Sequence, residues 1–273
     1  MVISQTFFTA FIQGLTEFLP VSSSGHLRLL AFFHEDFTPS VSVDIAVHVG
    51  TLFALMLYFW RDFARLTLLK RADRDEGLRL WGLLVIGTLP VILMGFVLHR
   101  TGFLHTLSAR DGAWIVAWGN LIFALPLWLA DRFGGERRTL TAQTAKGTSR
   151  RFGWGQALLV GIAQVCALVP GASRSGVVMT AARALGLPRD QAARFAMLLA
   201  APAIAGAGLL EGLRVLEAGD VDLTMAAVAA VLSFLVALIT IRVFMVWVAR
   251  IGFAPFALYR LALGVVLLWW LAL

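Results

Sequence analysis

The chain has 273 residues, of which 59% are hydrophobic and only 14% charged, and its mean hydropathy is +0.83. Soluble domains carry about 25% charged residues, so this composition excludes a water-soluble globular protein and implies an integral membrane protein. The net charge of +7 comes without aromatic residues interleaved among the basic ones, which argues against a nucleic-acid groove, and the single Cys166 excludes an intrachain disulfide.

The segment from Met1 to Ala10 lacks the charged lead and small-residue cleavage site of a secretory signal and is expected to stay in the mature protein. It opens an apolar stretch, 1–33, that is cut near its middle by Gln13-Gly-Leu-Thr-Glu17-Phe-Leu-Pro20-Val-Ser22-Ser23-Ser24-Gly25-His26. Gln13 and Glu17 stand four apart and share a helix face, Pro20 stops that helix soon after, and the serines with Gly25 start a second short helix through His26 toward Phe33. Spans long enough for about 30 Å of hydrocarbon follow at 43–60, 81–99 and 114–130. A second interrupted stretch, 153–187, contains Pro170-Gly-Ala-Ser173-Arg174-Ser175-Gly176, which should precede a helix over 177–186, and further spans are read at 192–216, 223–247 and 253–273.

Basic residues crowd two loops. Arg61, Arg65, Lys70, Arg71, Arg74 and Arg79 mark one; Arg132, Arg137, Arg138, Lys146, Arg150 and Arg151 mark the other. Such loops face the cytoplasm, whereas Glu217, Asp220 and Asp222 form an acidic outer turn. The expected fold is an all-α polytopic membrane protein with six transmembrane helices and two re-entrant helical hairpins. One hairpin followed by three spans, repeated with opposite orientation, makes an inverted-topology repeat of residues 1–130 and 153–273, joined by the basic cytoplasmic loop 131–152.

Ionisable groups at membrane depth are costly, so Glu17, His26 and Arg174 are functional candidates. Two helix amino ends meeting inside the protein offer unpaired N–H groups and positive dipole ends to an anion, and phosphate is the natural guest. Arg174 adds a planar fork for phosphate oxygens, and Ser22, Ser23, Ser24, Ser173 and Ser175 add hydroxyl donors. A hydroxyl near a histidine supplies a nucleophile with a base, and Glu17 with Gln13 can hold a hard divalent cation, or Glu17 can move protons. Asp44 and His48 are four apart on the first full span, Tyr259 and Arg260 either anchor the last span or support the site, and His34, His99 and His105 sit near interfaces. Pro202, in its small-residue surroundings, reads as close helix packing; the face from Ala201 to Gly208 can meet either the chain itself or a second copy.

The run from Gln13 to His26 resembles the first signature of the undecaprenyl pyrophosphate phosphatase family, and Pro170 to Gly176 resembles its second. Weaker similarity at Asp44-Ile-Ala-Val-His48-Val-Gly-Thr and Pro255-Phe-Ala-Leu-Tyr259-Arg260 extends the resemblance over nearly the whole chain. It implies a bacterial plasma-membrane enzyme linked to bacitracin resistance, which removes the terminal phosphate of a C55 isoprenyl diphosphate and returns the carrier to peptidoglycan synthesis. Glu17, Ser23, His26 and Arg174 would be its catalytic residues, with Gln13, Ser22, Ser24, Gly25, Ser173, Ser175 and Gly176 on the substrate. Mg2+ or Ca2+ is implied as cofactor, held by Glu17 and Gln13, and a pocket opening to the outer face. Many members carry Glu where this chain has Gln13, which weakens the case for a two-carboxylate metal site. Ser23 or His26 could attack, or His26 could activate water. A secondary transporter or flippase of an anion or lipid phosphate is the rival reading, because broken helices at midplane are common to both.

Overall fold

The computed structural model describes residues 2–33, 40–64, 71–101, 109–140, 150–218 and 222–273. Arg65, Lys70, Lys146, His34, His105 and Asp220 lie outside the described residues, as do the side chains of Arg71, His99 and Glu217. Helices α1 (Val2–Thr16) and α2 (Ser23–Phe33) are followed by α3 (Val41–Tyr58), the short α4 (Trp60–Ala64), α5 (Arg71–Thr101) and α6 (Ala109–Phe133). Then come α7 (Trp154–Gln164), a 3-10 turn (Val165–Leu168), α8 (Arg174–Ala184), α9 (Arg189–Ala218), α10 (Leu223–Ile251) and α11 (Ala254–Ala272). Among the described residues, six helices (α3, α5, α6, α9, α10 and α11) are long and apolar enough to cross a membrane, in the places the hydropathy of the sequence puts them.

One departure from an all-helical chain is a pair of two-residue strands, β1 (Arg138–Thr139) and β2 (Arg150–Arg151), which run parallel in the basic loop. Helix α8 begins at Arg174, three residues before the expected start, because the Ser173 hydroxyl accepts the Gly176 amide and caps it there.

The molecule turns large apolar side chains outward, among them Phe53, Leu93, Ile122, Val231 and Trp269, as lipid contact requires. Inside, small residues let backbones approach. A Cβ at Gly50 would strike the Ala230 carbonyl and the Ser233 hydroxyl, and one at Gly14 would lie 2.8 Å from the Ser233 carbonyl. Ser233 Oγ donates to the Val47 carbonyl at 3.0 Å, so α1, α3 and α10 form one tightly packed group. Gly161 packs against Gly87 in the same manner and joins α7 to α5.

The stretch expected to pack within the chain or against a second copy, Ala201 to Gly208, divides: Ala201 and Ile204 are buried in the core, and the remaining small residues are not. A Cβ at Gly206 or Gly208 would meet open space, and Ala203, Ala207 and Gly208 line a cavity instead of a neighbouring helix. Pro202, like Pro90 and Pro126, sits inside a continuous helix.

Charge pairs gather at the helix ends that carry the basic loops. Arg194 on α9 pairs with Asp62, Arg189 with Asp131 at 2.6 Å, and Arg151 with Glu76 at 3.0 Å. Asp131 also accepts from the amides of Phe253 and Ala254, tying the α10–α11 turn to α6. This layer fixes the relative heights of the helices that frame the site.

Candidate active site

Each short helix begins with the same local device. Ser22 and Ser173 both have positive φ, 69° and 65°, a conformation costly for residues with a Cβ. Each hydroxyl then accepts the amide three residues on: Gly25 N at 3.3 Å and Gly176 N at 3.2 Å. Each also lies 3.2 Å from the hydroxyl two residues on, Ser24 and Ser175 respectively. The tight turn spends strain on presenting helix N–H groups and hydroxyls at one end.

The two turns clasp one another. The Gly171 amide donates to Ser24 Oγ at 3.4 Å, and Ser175 Oγ donates to the Leu19 carbonyl at 2.7 Å. Glu17, one residue past the end of α1, keeps its amide on the Gln13 carbonyl at 3.0 Å and so stays on the same helix face as Gln13. Its carboxylate is the meeting point. Oε1 pairs with Arg174 Nη2, while Oε2 accepts Gln13 Nε2 at 2.6 Å and lies 3.5 Å from Ser23 Oγ. Arg174 Nη1 also donates to the Ala200 carbonyl at 3.4 Å.

These groups face a cavity of about 530 Å³ with two kinds of wall. Glu17, Ser22, Ser23, Ser24, Ser173 and Arg174 form the polar wall. Ala167, Val169, Ala203, Ile204 and Ala207 form the apolar one. Asp44 and His48, one turn apart on α3, also line it, with His48 Nδ1 2.7 Å from the Asp44 carbonyl.

Not every candidate reaches this space. Gln13 is buried behind Glu17 and off the cavity wall, and Gly25, Ser175 and Gly176 serve the helix starts and the clasp. His26 is also off the wall. Its Nδ1 lies 2.8 Å from the Ser22 carbonyl, which can only accept, so that nitrogen carries the hydrogen. Nε2 then accepts the Tyr259 hydroxyl at 2.6 Å. In this arrangement the imidazole holds the Ser22 turn and has no lone pair free for Ser23.

Tyr259 as the partner of His26, Asn120 beneath Gly25, and the Ala200 carbonyl on Arg174 went unassigned from sequence. A polar Asn within an apolar span was the available signal for Asn120; a backbone carbonyl leaves none.

Among the described residues no three His, Cys, Asp or Glu come together as a metal cluster. Two carboxylates, Glu17 and Asp44, do line the cavity. That donor set fits a hard cation whose remaining ligands are phosphate oxygens and water, the usual arrangement for Mg2+ in phosphoryl-transfer sites.

Comparison with known proteins is consistent over the full length. The family model of the bacitracin resistance protein BacA matches residues 6–266. The chain belongs to the BacA family. It is 41% identical over 277 residues to the undecaprenyl-diphosphatase of Alteromonas mediterranea, with 98% of each chain covered. It is 43% identical over 281 residues to undecaprenyl-diphosphatase 1 of Rhodospirillum rubrum, covering 98% of this chain and 95% of that one. With the undecaprenyl-diphosphatase of Jannaschia sp. the identity is 41% over 268 residues, and 96% of each chain is covered.

Proposed function

We infer that this membrane protein hydrolyses undecaprenyl diphosphate to undecaprenyl phosphate and inorganic phosphate, returning the lipid carrier to use and conferring bacitracin resistance. The observation that carries the reading is the cavity itself. It joins an acid, a guanidinium and serines at two helix amino ends to an apolar wall of small residues. A diphosphate head fits the first wall and the start of an isoprenyl chain fits the second. The activity named for relatives about 40% identical over nearly the whole chain favours this over the transporter reading.

In the mechanism we propose, Arg174, the serine hydroxyls and the amides of α2 and α8 hold the phosphate oxygens and stabilise charge as it moves. Ser23 Oγ, the hydroxyl within reach of Glu17, attacks the terminal phosphorus and passes its proton to Glu17. The bond to the bridging oxygen breaks, and Glu17 gives its proton to the departing lipid monophosphate. The carboxylate, free again, takes a proton from water as that water attacks the phosphoserine; the bond to Ser23 Oγ breaks, inorganic phosphate leaves, and Glu17 returns the proton to Ser23 Oγ. Glu17 can take these roles only when the incoming phosphate draws Arg174 away from it. Gln13 keeps the freed carboxylate aimed, and His26 with Tyr259 keeps the Ser22 turn in place. Mg2+ or Ca2+, which would be held by Glu17 and Asp44 with phosphate oxygens, supplies charge neutralisation when bound.

The matched serine caps and reciprocal clasp support an inverted-topology repeat of 1–130 and 153–273, with α1–α2 and α7–α8 as re-entrant hairpins. Asp44 near the start of α3 and Gly208 late in α9 line the cavity at helix ends away from the basic loops. With those loops in the cytoplasm, the cavity opens to the outer face of the bacterial inner membrane.

The test is phosphate release from isoprenyl diphosphate by purified protein in detergent, with and without chelator. Release that stops with Arg174→Ala supports the reading. Diphosphate that binds without release would favour transport and overturn it.

A further inference from the structure

Among the described residues, Arg260 on α11 is the largest fully buried side chain, with 0% of its surface exposed. Its Nη2 donates to two carbonyls, Gly171 at 2.9 Å and Gly119 at 3.2 Å. Nε and Nη1 have no hydrogen-bond partner among the described residues, and no described carboxylate pairs with this guanidinium. Arg174, Arg189 and Arg194, by contrast, each face an acid. A buried cation held only by carbonyls is destabilising unless something compensates it.

The position of the unspent charge suggests what does. A Cβ at Gly176 would lie 2.8 Å from Arg260 Nη1, so the guanidinium sits against the first turn of α8, directly behind Ser173 and Arg174. On the other side it bridges the Gly171 turn to α6 at Gly119, where a Cβ would come within 2.6 Å of the Pro170 carbonyl. Gly119 and Gly176 are thus the small residues that admit a close approach of turn and guanidinium. Arg174 and Glu17 cancel one another in the resting site. Asp44 faces the cavity from α3, and the charge behind the α8 turn is that of Arg260, added to the dipole of α8.

We propose that Arg260 is a positioning residue for the diphosphate: it staples the Pro170–Ser173 turn to α6 and supplies the uncompensated charge that an incoming anion satisfies. The inference rests on the diphosphatase reading above. It predicts a split that simple structural support does not. Replacing a buried, unpaired charge by an apolar side chain of similar volume removes a desolvation cost, so Arg260→Met should fold, yet bind the diphosphate poorly.

The experiment compares wild type, Arg260→Met and Arg260→Lys in detergent, by melting temperature and by kinetics on isoprenyl diphosphate. Inorganic pyrophosphate and inorganic phosphate serve as competing probes. Arg260→Met is expected to melt no more than about 5 °C below wild type. Its KM and its Ki for pyrophosphate should rise about tenfold, the size of one hydrogen-bonded charge, with a smaller rise for phosphate and kcat within about threefold. Arg260→Lys, which keeps the charge, should recover most of the KM. Failure of Arg260→Met to fold, equal losses for the two anions, or a Lys variant as weak as Met would each overturn the proposal. A wild type that releases no phosphate would instead overturn the diphosphatase reading, so the two failures are distinct.

Discussion

The turns at Ser22 and Ser173 share a backbone and differ in chemistry. Both put a serine at positive φ, cap a short helix with it, and place glycine three residues on. The residue after the capping serine then diverges: Ser23 in the first turn and Arg174 in the second. Upstream, the first hairpin carries Gln13 and Glu17, while the second offers apolar wall at Ala167 and Val169. The common part makes a serine-capped helix start twice. The divergent part gives one turn the acid and hydroxyl and the other the cation, so the function proposed above needs both turns.

That division of labour can be broken most severely at the divergent positions. Arg174→Ala and Ser23→Ala are each expected to lower kcat/KM for isoprenyl diphosphate by about a thousandfold, the scale of losing a phosphoryl clamp or nucleophile. Comparable activity in Ser23→Ala would move the attack to water. Glu17→Gln keeps the shape of the acid and removes its proton-accepting charge, and a loss of about a hundredfold in kcat, with KM little changed, is expected from steady-state assays.

A smaller effect belongs to the apolar wall. Ala207→Trp fills the space left by small residues and should raise KM for the isoprenyl substrate about tenfold. Inhibition by inorganic pyrophosphate, which has no tail, should hardly move. The smallest effect tests the shared backbone. Ser173→Ala loses the cap and keeps the strain the serine already bears, at a cost of about 0.5 to 2 kcal/mol. Ser173→Gly relieves the strain and should melt near wild type. If Ala and Gly behave alike in thermal denaturation, the positive φ carries no cost and the parallel between the turns is weaker than drawn.

Glu17 and Arg174 were each legible as site candidates because an ionisable side chain in hydrocarbon has few explanations other than a partner or a substrate. The placement of the His26 ring was not legible. Spacing brings it near Ser23 along the chain, but which way the ring faces depends on Tyr259, which is 233 residues away. Which part of Ala201 to Gly208 packs inside the chain was not legible for a related reason: Ala201 and Ile204 are buried, while Ala203, Ala207 and Gly208 line the cavity. Small residues signal close approach, and whether a helix or a cavity fills that approach is a property of the neighbours.

By itself the sequence determined the spans, the two helix-breaking turns and the chemistry they carry, since hydropathy, proline and serine caps act over a few residues. Only the tertiary structure decided that Arg174 meets Glu17, that Gln13 and His26 stand off the cavity wall, and that Arg260 lies buried with no acid partner among the described residues. Those outcomes depend on how helices distant in sequence pack against each other, and in a chain whose outer surface is uniformly apolar, local pattern does not encode which faces meet.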